Sequence, residues 1–244
     1  TGSLVHTLDN PNAFGTSASD VFGGAVAISG DRAIVAAYNE DEAGFQDNSG
    51  KAYIFDVTTG ALLHTLDNPN AYGLSASDFF GQSVAISGNY AIVGANAEDD
   101  AGGTTSGKAY IYDISTFTTS TISSATYVLD NPNAFGTSAV DQFGYSVAIS
   151  GNRAIVAAYE EDDAGGTNSG KAYIFDVTTG DLLHTLDNPN AYGTSSSDLF
   201  GNSVAVSGNR AIVGAPFEDD AGGTNSGKAY IFDLTTGYYP LTNT

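Results

Sequence analysis

An all-β fold of four small sheets set radially, a four-bladed β-propeller, is what this sequence predicts. Three observations carry that expectation. Four near-identical segments fill the 244 residues. Their Phe-Gly pairs, Phe22-Gly23, Phe80-Gly81, Phe143-Gly144 and Phe200-Gly201, lie 58, 63 and 57 residues apart. That period is too long for one rung of a β-helix and right for one propeller blade. Each segment also repeats one order of short apolar runs divided by turn residues, the pattern of a meander.

The last repeat shows the first three elements most plainly. Ser203 to Ser207 reads as a strand of small residues, and Gly208-Asn209 as a tight turn, because both residues tolerate positive φ. Arg210 to Ala215 is the second strand, antiparallel to the first. An acidic, Gly-rich loop follows from Phe217 to Gly227. Lys228 to Asp233 is the third strand, with Ala229 and Ile231 alternating against Tyr230 and Phe232. Thr235-Thr236-Gly237 is a turn. The fourth strand is clearest at Ala61 to Leu66 and Asp181 to Leu186, each leading into an Asp-Asn-Pro-Asn-Ala turn.

The whole chain, 1–244, is therefore expected to be one domain, with four antiparallel strands per blade and repeats at 9–66, 67–129, 130–186 and 187–237. Leu4 to Leu8 matches the fourth strand, and the last repeat ends soon after its third. Residues 4–8 are thus expected to complete the last blade and close the ring. Repeats one and three share Ala-Ile-Val-Ala-Ala-Tyr, and two and four share Ile-Val-Gly-Ala, as if a two-blade unit had been duplicated. Ser115 to Ala125 is longer than its counterparts and reads as a mobile loop on one rim.

Composition narrows the partners. Net charge is −21, from 28 acidic and 7 basic residues. Such a surface repels phosphate backbones and anionic lipid heads, which excludes nucleic acid and membrane insertion as expectations. Cys is absent, so neither a disulfide framework nor a Cys metal site exists. The acidic, Asn/Thr/Ser/Gly-rich make-up fits a secreted or cell-surface protein, whose signal would already be removed ahead of Thr1.

The residues resemble FG-GAP repeats, the units of the integrin α-subunit propeller and of many bacterial surface proteins. The last repeat carries both halves of that motif, Phe200-Gly201 and Gly214-Ala215-Pro216. The others keep Phe-Gly and soften the second half to Ala36-Ala37-Tyr38, Gly94-Ala95-Asn96 and Ala157-Ala158-Tyr159. The resemblance covers nearly the whole chain and implies a propeller. Its implied roles span adhesion, carbohydrate binding and structure. Integrin repeats carry an Asp-x-Asp-x-Asp-Gly calcium loop between the first two strands; here that connection is only Ser29-Gly30-Asp31 and its equivalents, so no calcium role carries over by motif.

The candidate metal ligands are the acidic loops: Glu40, Asp41 and Glu42; Glu98, Asp99 and Asp100; Glu161, Asp162 and Asp163; Glu218, Asp219 and Asp220. Calcium wants six to eight oxygens, and three acids beside flexible glycines could supply several. Against this stands a solvated loop whose carboxylates cap turns or meet the nearby Lys. The candidate ligand-binding residues are Phe14, Tyr72, Phe135 and Tyr192, each in Asn-Ala-aromatic-Gly. Such rings can stack on sugars as a multivalent site, or plug the gap between blades.

Other repeated residues have structural expectations. Asp20, Asp78, Asp141 and Asp198 should accept backbone N–H bonds beneath each Phe, and Asp9, Asp67, Asp130 and Asp187 should make Asx turns. Lys51, Lys108, Lys171 and Lys228, with Arg32, Arg153 and Arg210, should pair with the acidic loops. His6, His64 and His184 fall on the outer strands of different blades, too far apart for one metal.

Catalysis is not expected, because no blade holds a unique cluster of titratable residues. The expected function is an extracellular, non-enzymatic binding or adhesion module, possessing a cation-dependent site for glycan or protein. The alternative is a structural surface or matrix component that associates with itself.

Overall fold

A computed structural model describes residues 2–11, 18–41, 48–69, 77–100, 103–132, 139–164, 166–189 and 194–235. β1 (Phe22–Ser29), β2 (Arg32–Ala37), β3 (Lys51–Asp56) and β4 (Leu62–Asp67) form the first sheet. β5 (Ser83–Ser87), β6 (Tyr90–Ala95) and β7 (Lys108–Asp113) form the second, after which come β8 (Thr121–Ile122) and then β9 (Tyr127–Asp130), the second sheet's outer strand. β10 (Phe143–Ser150), β11 (Arg153–Ala158), β12 (Lys171–Asp176) and β13 (Leu182–Asp187) make the third. β14 (Ser203–Ser207), β15 (Arg210–Ala215) and β16 (Lys228–Asp233) make the last, which has three strands.

Each sheet is an antiparallel meander with one register. Ile34 faces Ile54, Ile92 faces Ile111, Ile155 faces Ile174 and Ile212 faces Ile231. The first hairpin of every blade turns on a glycine in the left-handed region (Gly30, Gly88, Gly151 and Gly208, φ 54 to 59), a geometry glycine adopts without steric cost.

Successive sheets stack through their inner strands: β1 on β5, β5 on β10, β10 on β14. One face of each blade packs on the opposite face of the next. Ile34 and Ile54 meet Val84 and Ile86; Ile92 and Ile111 meet Val147; Ile155 and Ile174 meet Val204 and Val206. The repeated Phe of the second, third and fourth blades sits in these seams. Phe80, Phe143 and Phe200 are fully buried, edge-on to the aromatics of their own third strand. At each seam the backbones nearly touch. A Cβ on Gly107 would lie 2.1 Å from the carbonyl oxygen of Phe143.

Two expectations need correction. The long connection after Asp113 forms structure. It makes a 3-10 turn at Ile114–Thr116 and then β8, which pairs in parallel with β4 as a fifth strand of the first sheet. Thr65 N–H donates to Ser120, and the Phe117 ring stands against His64 at 5.0 Å. The extra residues shield an otherwise bare sheet edge, a common use of added chain.

The second correction concerns closure. Residues 4–8 lie in no strand, and β16 has no outer neighbour among the described residues. Leu8 instead packs on Val35, Tyr53 and Phe55 of the first blade. Among the described residues the stacking of inner strands runs from β1 to β14, with no comparable contact between β14 and β1. The four sheets, so far as described, form an arc whose two end faces are exposed.

Candidate functional site

The acidic loops follow β2, β6, β11 and β15, and the structure gives their acids separate duties. The first is buried under its own blade. Glu40, Glu98, Glu161 and Glu218 are each fully enclosed and accept from the hydroxyl of Tyr53, Tyr110, Tyr173 and Tyr230. The second acid ties the loop together. Asp41, Asp99, Asp162 and Asp219 accept the backbone N–H of Asn48, Thr105, Asn168 and Asn225 at 2.8 to 3.1 Å. The third caps a turn: Asp100, Asp163 and Asp220 accept from Gly103, Gly166 and Gly223. Asp163 also accepts from Ser195 Oγ at 2.9 Å, linking its loop to the next repeat. Glu42 lies outside the described residues. Among those described, no three acidic or His side chains converge as a metal site requires.

The basic residues pair differently from expectation. Lys51, Lys108 and Lys171 reach across to the Asp that follows the fourth strand, Asp67, Asp130 and Asp187. The Lys is buried in each pair, so the ion pair sits half inside the sheet. Lys228 instead meets its acidic loop, at Glu218. Arg32 and Arg153 extend instead to Asn89 and Asn209, in the hairpin of the following blade.

A second network spans each seam. The amide nitrogens of Asn10, Asn68, Asn131 and Asn188 donate to Asp20, Asp78, Asp141 and Asp198 at 2.8 to 2.9 Å. The partner is thus a side chain ten residues upstream, where a backbone N–H was expected. Burial pushes the carboxyls of Asp20 and Asp198 above their ordinary value. Asp141 is pushed up to about 7, first by burial and then by the charge of Glu161. His6, His64 and Tyr127 carry equivalent bonds, to the carbonyls of Thr58, Thr119 and Thr178. The Tyr127 bond joins the second blade to the third.

Phe14, Tyr72, Phe135 and Tyr192 all lie outside the described residues. A different surface stands out within them. At one rim, where the inner strands begin, four repeat positions vary among the blades, three of them in every blade and one sharing Tyr between the first and third. Before Phe-Gly come Val21, Phe79, Gln142 and Leu199; after it come Gly24, Gln82, Tyr145 and Asn202. After the second strand come Tyr38-Asn39, Asn96-Ala97, Tyr159-Glu160 and Pro216-Phe217. The backbone brings these together identically. Asn39, Ala97, Glu160 and Phe217 each donate to the carbonyl of the Asp that precedes the variable residue.

Side chains meet there across two seams and within the third blade. Tyr38 is edge-on to Phe79 at 6.3 Å and Asn96 donates to Gln142 at 2.9 Å across seams, and within the third blade Tyr145 lies over Tyr159 at 4.1 Å. Burial and the neighbouring Glu160 raise the Tyr159 hydroxyl well above its usual range. The side-chain carbonyl oxygens of Asn39 and Asn96 are enclosed without a hydrogen-bond partner among the described residues. Val21, Phe79, Gln142 and Leu199 hold φ of 53 to 58, uncommon for residues other than glycine. Backbone strain of this kind gathers at functional sites. The signal for this rim in the sequence is the variation between repeats.

A family model described as FG-GAP repeat matches this chain at residues 13–55, 71–112, 134–175 and 190–232. No curated protein matches it. Among solved structures, the computationally designed Ika8 protein is 15% identical, with a TM-score of 0.48 over 87% of this chain. The WD40 repeats of RRP9 are 10% identical, with a TM-score of 0.48 over 80% of it. The chain spans 45% of the length of each.

Proposed function

This chain belongs to the FG-GAP repeat family, and on that premise we propose a non-enzymatic recognition module, working outside the cell, that binds a neutral glycan on the variable rim. The observation that carries the reading is the gathering of repeat-breaking residues at one edge of an otherwise repeated scaffold. A fold needs the same residue in every blade for packing, whereas a ligand needs a particular set of neighbours. The set here is aromatic and amide. Tyrosine rings offer flat apolar faces to a pyranose, and Gln142, Gln82 and the Asn39 and Asn96 oxygens offer hydrogen bonds to hydroxyls. The net charge of −21 disfavours an anionic ligand.

A glycan array tests this directly. Tyr38→Ala and Tyr145→Ala should each lower retention by about tenfold, which is about 1.4 kcal/mol, while leaving the melting temperature near that of the parent. An array on which parent and variants are retained alike, or not at all, overturns the reading. Dependence on calcium is a separate arm. A cation that binds only the native form raises the melting temperature, so an unchanged melting point in millimolar calcium removes that part and leaves the rim intact. The uncovered end faces of the arc favour a second reading, a self-associating surface or matrix component.

A further inference from the structure

Equivalent positions in the four blades have very different exposure at the two ends of the arc. Val84 and Ile86 on β5 are 9% and 6% exposed, but their counterparts on β1, Val26 and Ile28, are 65% and 69% exposed. On the opposite face, Ile34, Ile54, Ile92, Ile111, Ile155 and Ile174 are all at 0%, whereas Ile212 and Ile231 of the last blade are at 41% and 72%. The two bare faces are the two halves of one seam. At every interior seam, the first kind of face packs on the second.

The strand inventory agrees. β3, β7 and β12 each carry an outer strand, in which Lys51 lies opposite Asp67, Lys108 opposite Asp130 and Lys171 opposite Asp187. β16 lacks one. Applied to β16, the same register sets Lys228 opposite Asp9, Ala229 opposite Leu8, Tyr230 opposite Thr7 and Ile231 opposite His6. Residues 4–9 already sit where the outer strand of a preceding blade would. His6 reaches Thr58 as Tyr127 reaches Thr178, and Asn10 reaches Asp20 as Asn131 reaches Asp141. They hold this place on the first blade, while the outer edge of β16 has no neighbour among the described residues and is open to a matching strand.

We propose that the occupant is a second copy of this chain. The last blade of one copy docks on the first blade of the other, and residues 4–9 become the fourth strand beside its partner's β16. The contact is head to tail, and made twice it closes two arcs of four sheets into one ring. Such a ring lies at the upper end of the size range that propellers use. It also pairs the outer edge of β16. The charge of −21 per copy opposes association, so the dimer tightens as salt rises. None of this needs a ligand at the rim.

Sedimentation velocity on the full chain tests the proposal. The expected species has twice the 24.9 kDa mass of the chain, favoured by added salt. Asp9→Lys and Lys228→Asp should each weaken association by about tenfold or more, and the double variant should recover it. Since the chain has no Cys, His6→Cys with Ile231→Cys reports the pairing on a non-reducing gel. A cross-linked dimer supports it. A cross-linked monomer means the chain closes on itself and overturns it. So does a chain that stays monomeric at all salt concentrations, or a dimer indifferent to both charge reversals.

Discussion

The hydroxyl of Tyr173 lies 2.7 and 2.6 Å from the two carboxylate oxygens of Glu161, in a site where neither side chain is exposed to solvent. A carboxylate enclosed in this way depends on its donors, because no water replaces them. The tyrosine belongs to the third strand and the glutamate to the loop after the second. The bond therefore holds the acidic loop against its own blade, and all four blades repeat it.

Tyr173→Phe removes that donor and leaves the rest of the ring in place. Bonds to charged groups contribute about 1.5 to 3 kcal/mol, so the variant should lose stability of that order. Urea unfolding of the chain with and without the substitution measures it. A loss under about 0.5 kcal/mol would show that the loop does not rely on the bond.

Tyr112→Phe should act in the opposite sense. The Tyr112 hydroxyl is buried with no hydrogen-bond partner among the described residues, and burial drives its pKa well above the usual value. The equivalent residues are Phe55, Phe175 and Phe232. Removing an unsatisfied buried hydroxyl should add about 1 kcal/mol. The ring contacts with Phe80 and Phe117 remain. Differential scanning calorimetry should show a rise of about 2 to 4 °C.

Thr105→Asn is a second stabilising change. Thr105 has φ 54, and the same position in the other blades holds Asn48, Asn168 and Asn225 at φ 51 to 53. A β-branched residue is strained in the left-handed region, which asparagine tolerates. The gain should be about 1 kcal/mol, seen as a higher urea midpoint at unchanged slope.

Asp141 gives the stability a dependence on pH. Its carboxyl is pushed up to about 7 in the fold, against an ordinary 3.8, chiefly by burial. The folded state therefore holds a proton that the unfolded chain has released, and stability falls as pH rises between those values. Asp20 and Asp198 shift in the same direction. Asp141→Asn should flatten that part of the profile and stabilise the protein at pH 8 by on the order of 2 kcal/mol. A melting temperature that falls equally with pH in parent and variant would assign the effect elsewhere.

Much of the architecture was legible before any coordinates. Strand boundaries such as Ser203 to Ser207 and Lys228 to Asp233 follow from alternation and from Gly-Asn turns, which are local properties. The pairing of side chains was less legible. Lys51 was expected to meet the acidic loop, yet it reaches Asp67, because the antiparallel register sets those two residues opposite each other. Asp141 was expected to hold a backbone N–H, yet its partner is the Asn131 amide. The Ser/Thr-rich run after Asp113 read as mobile because its use, covering the edge of β4, depends on a blade that precedes it by some fifty residues.

By itself the sequence determined the number of sheets, the order of strands within each and the residues that fill the seams, since four copies of one local pattern repeat the same instruction. Tertiary structure alone decided what the repeats make together. The stacking at each seam arises from Phe and Ile packing between sheets, and no single repeat contains it. It leaves Val26 and Ile28 at one end and Ile212 and Ile231 at the other exposed. It also brings Tyr38 to Phe79 and Asn96 to Gln142 across blades, assembling a rim that no one segment encodes.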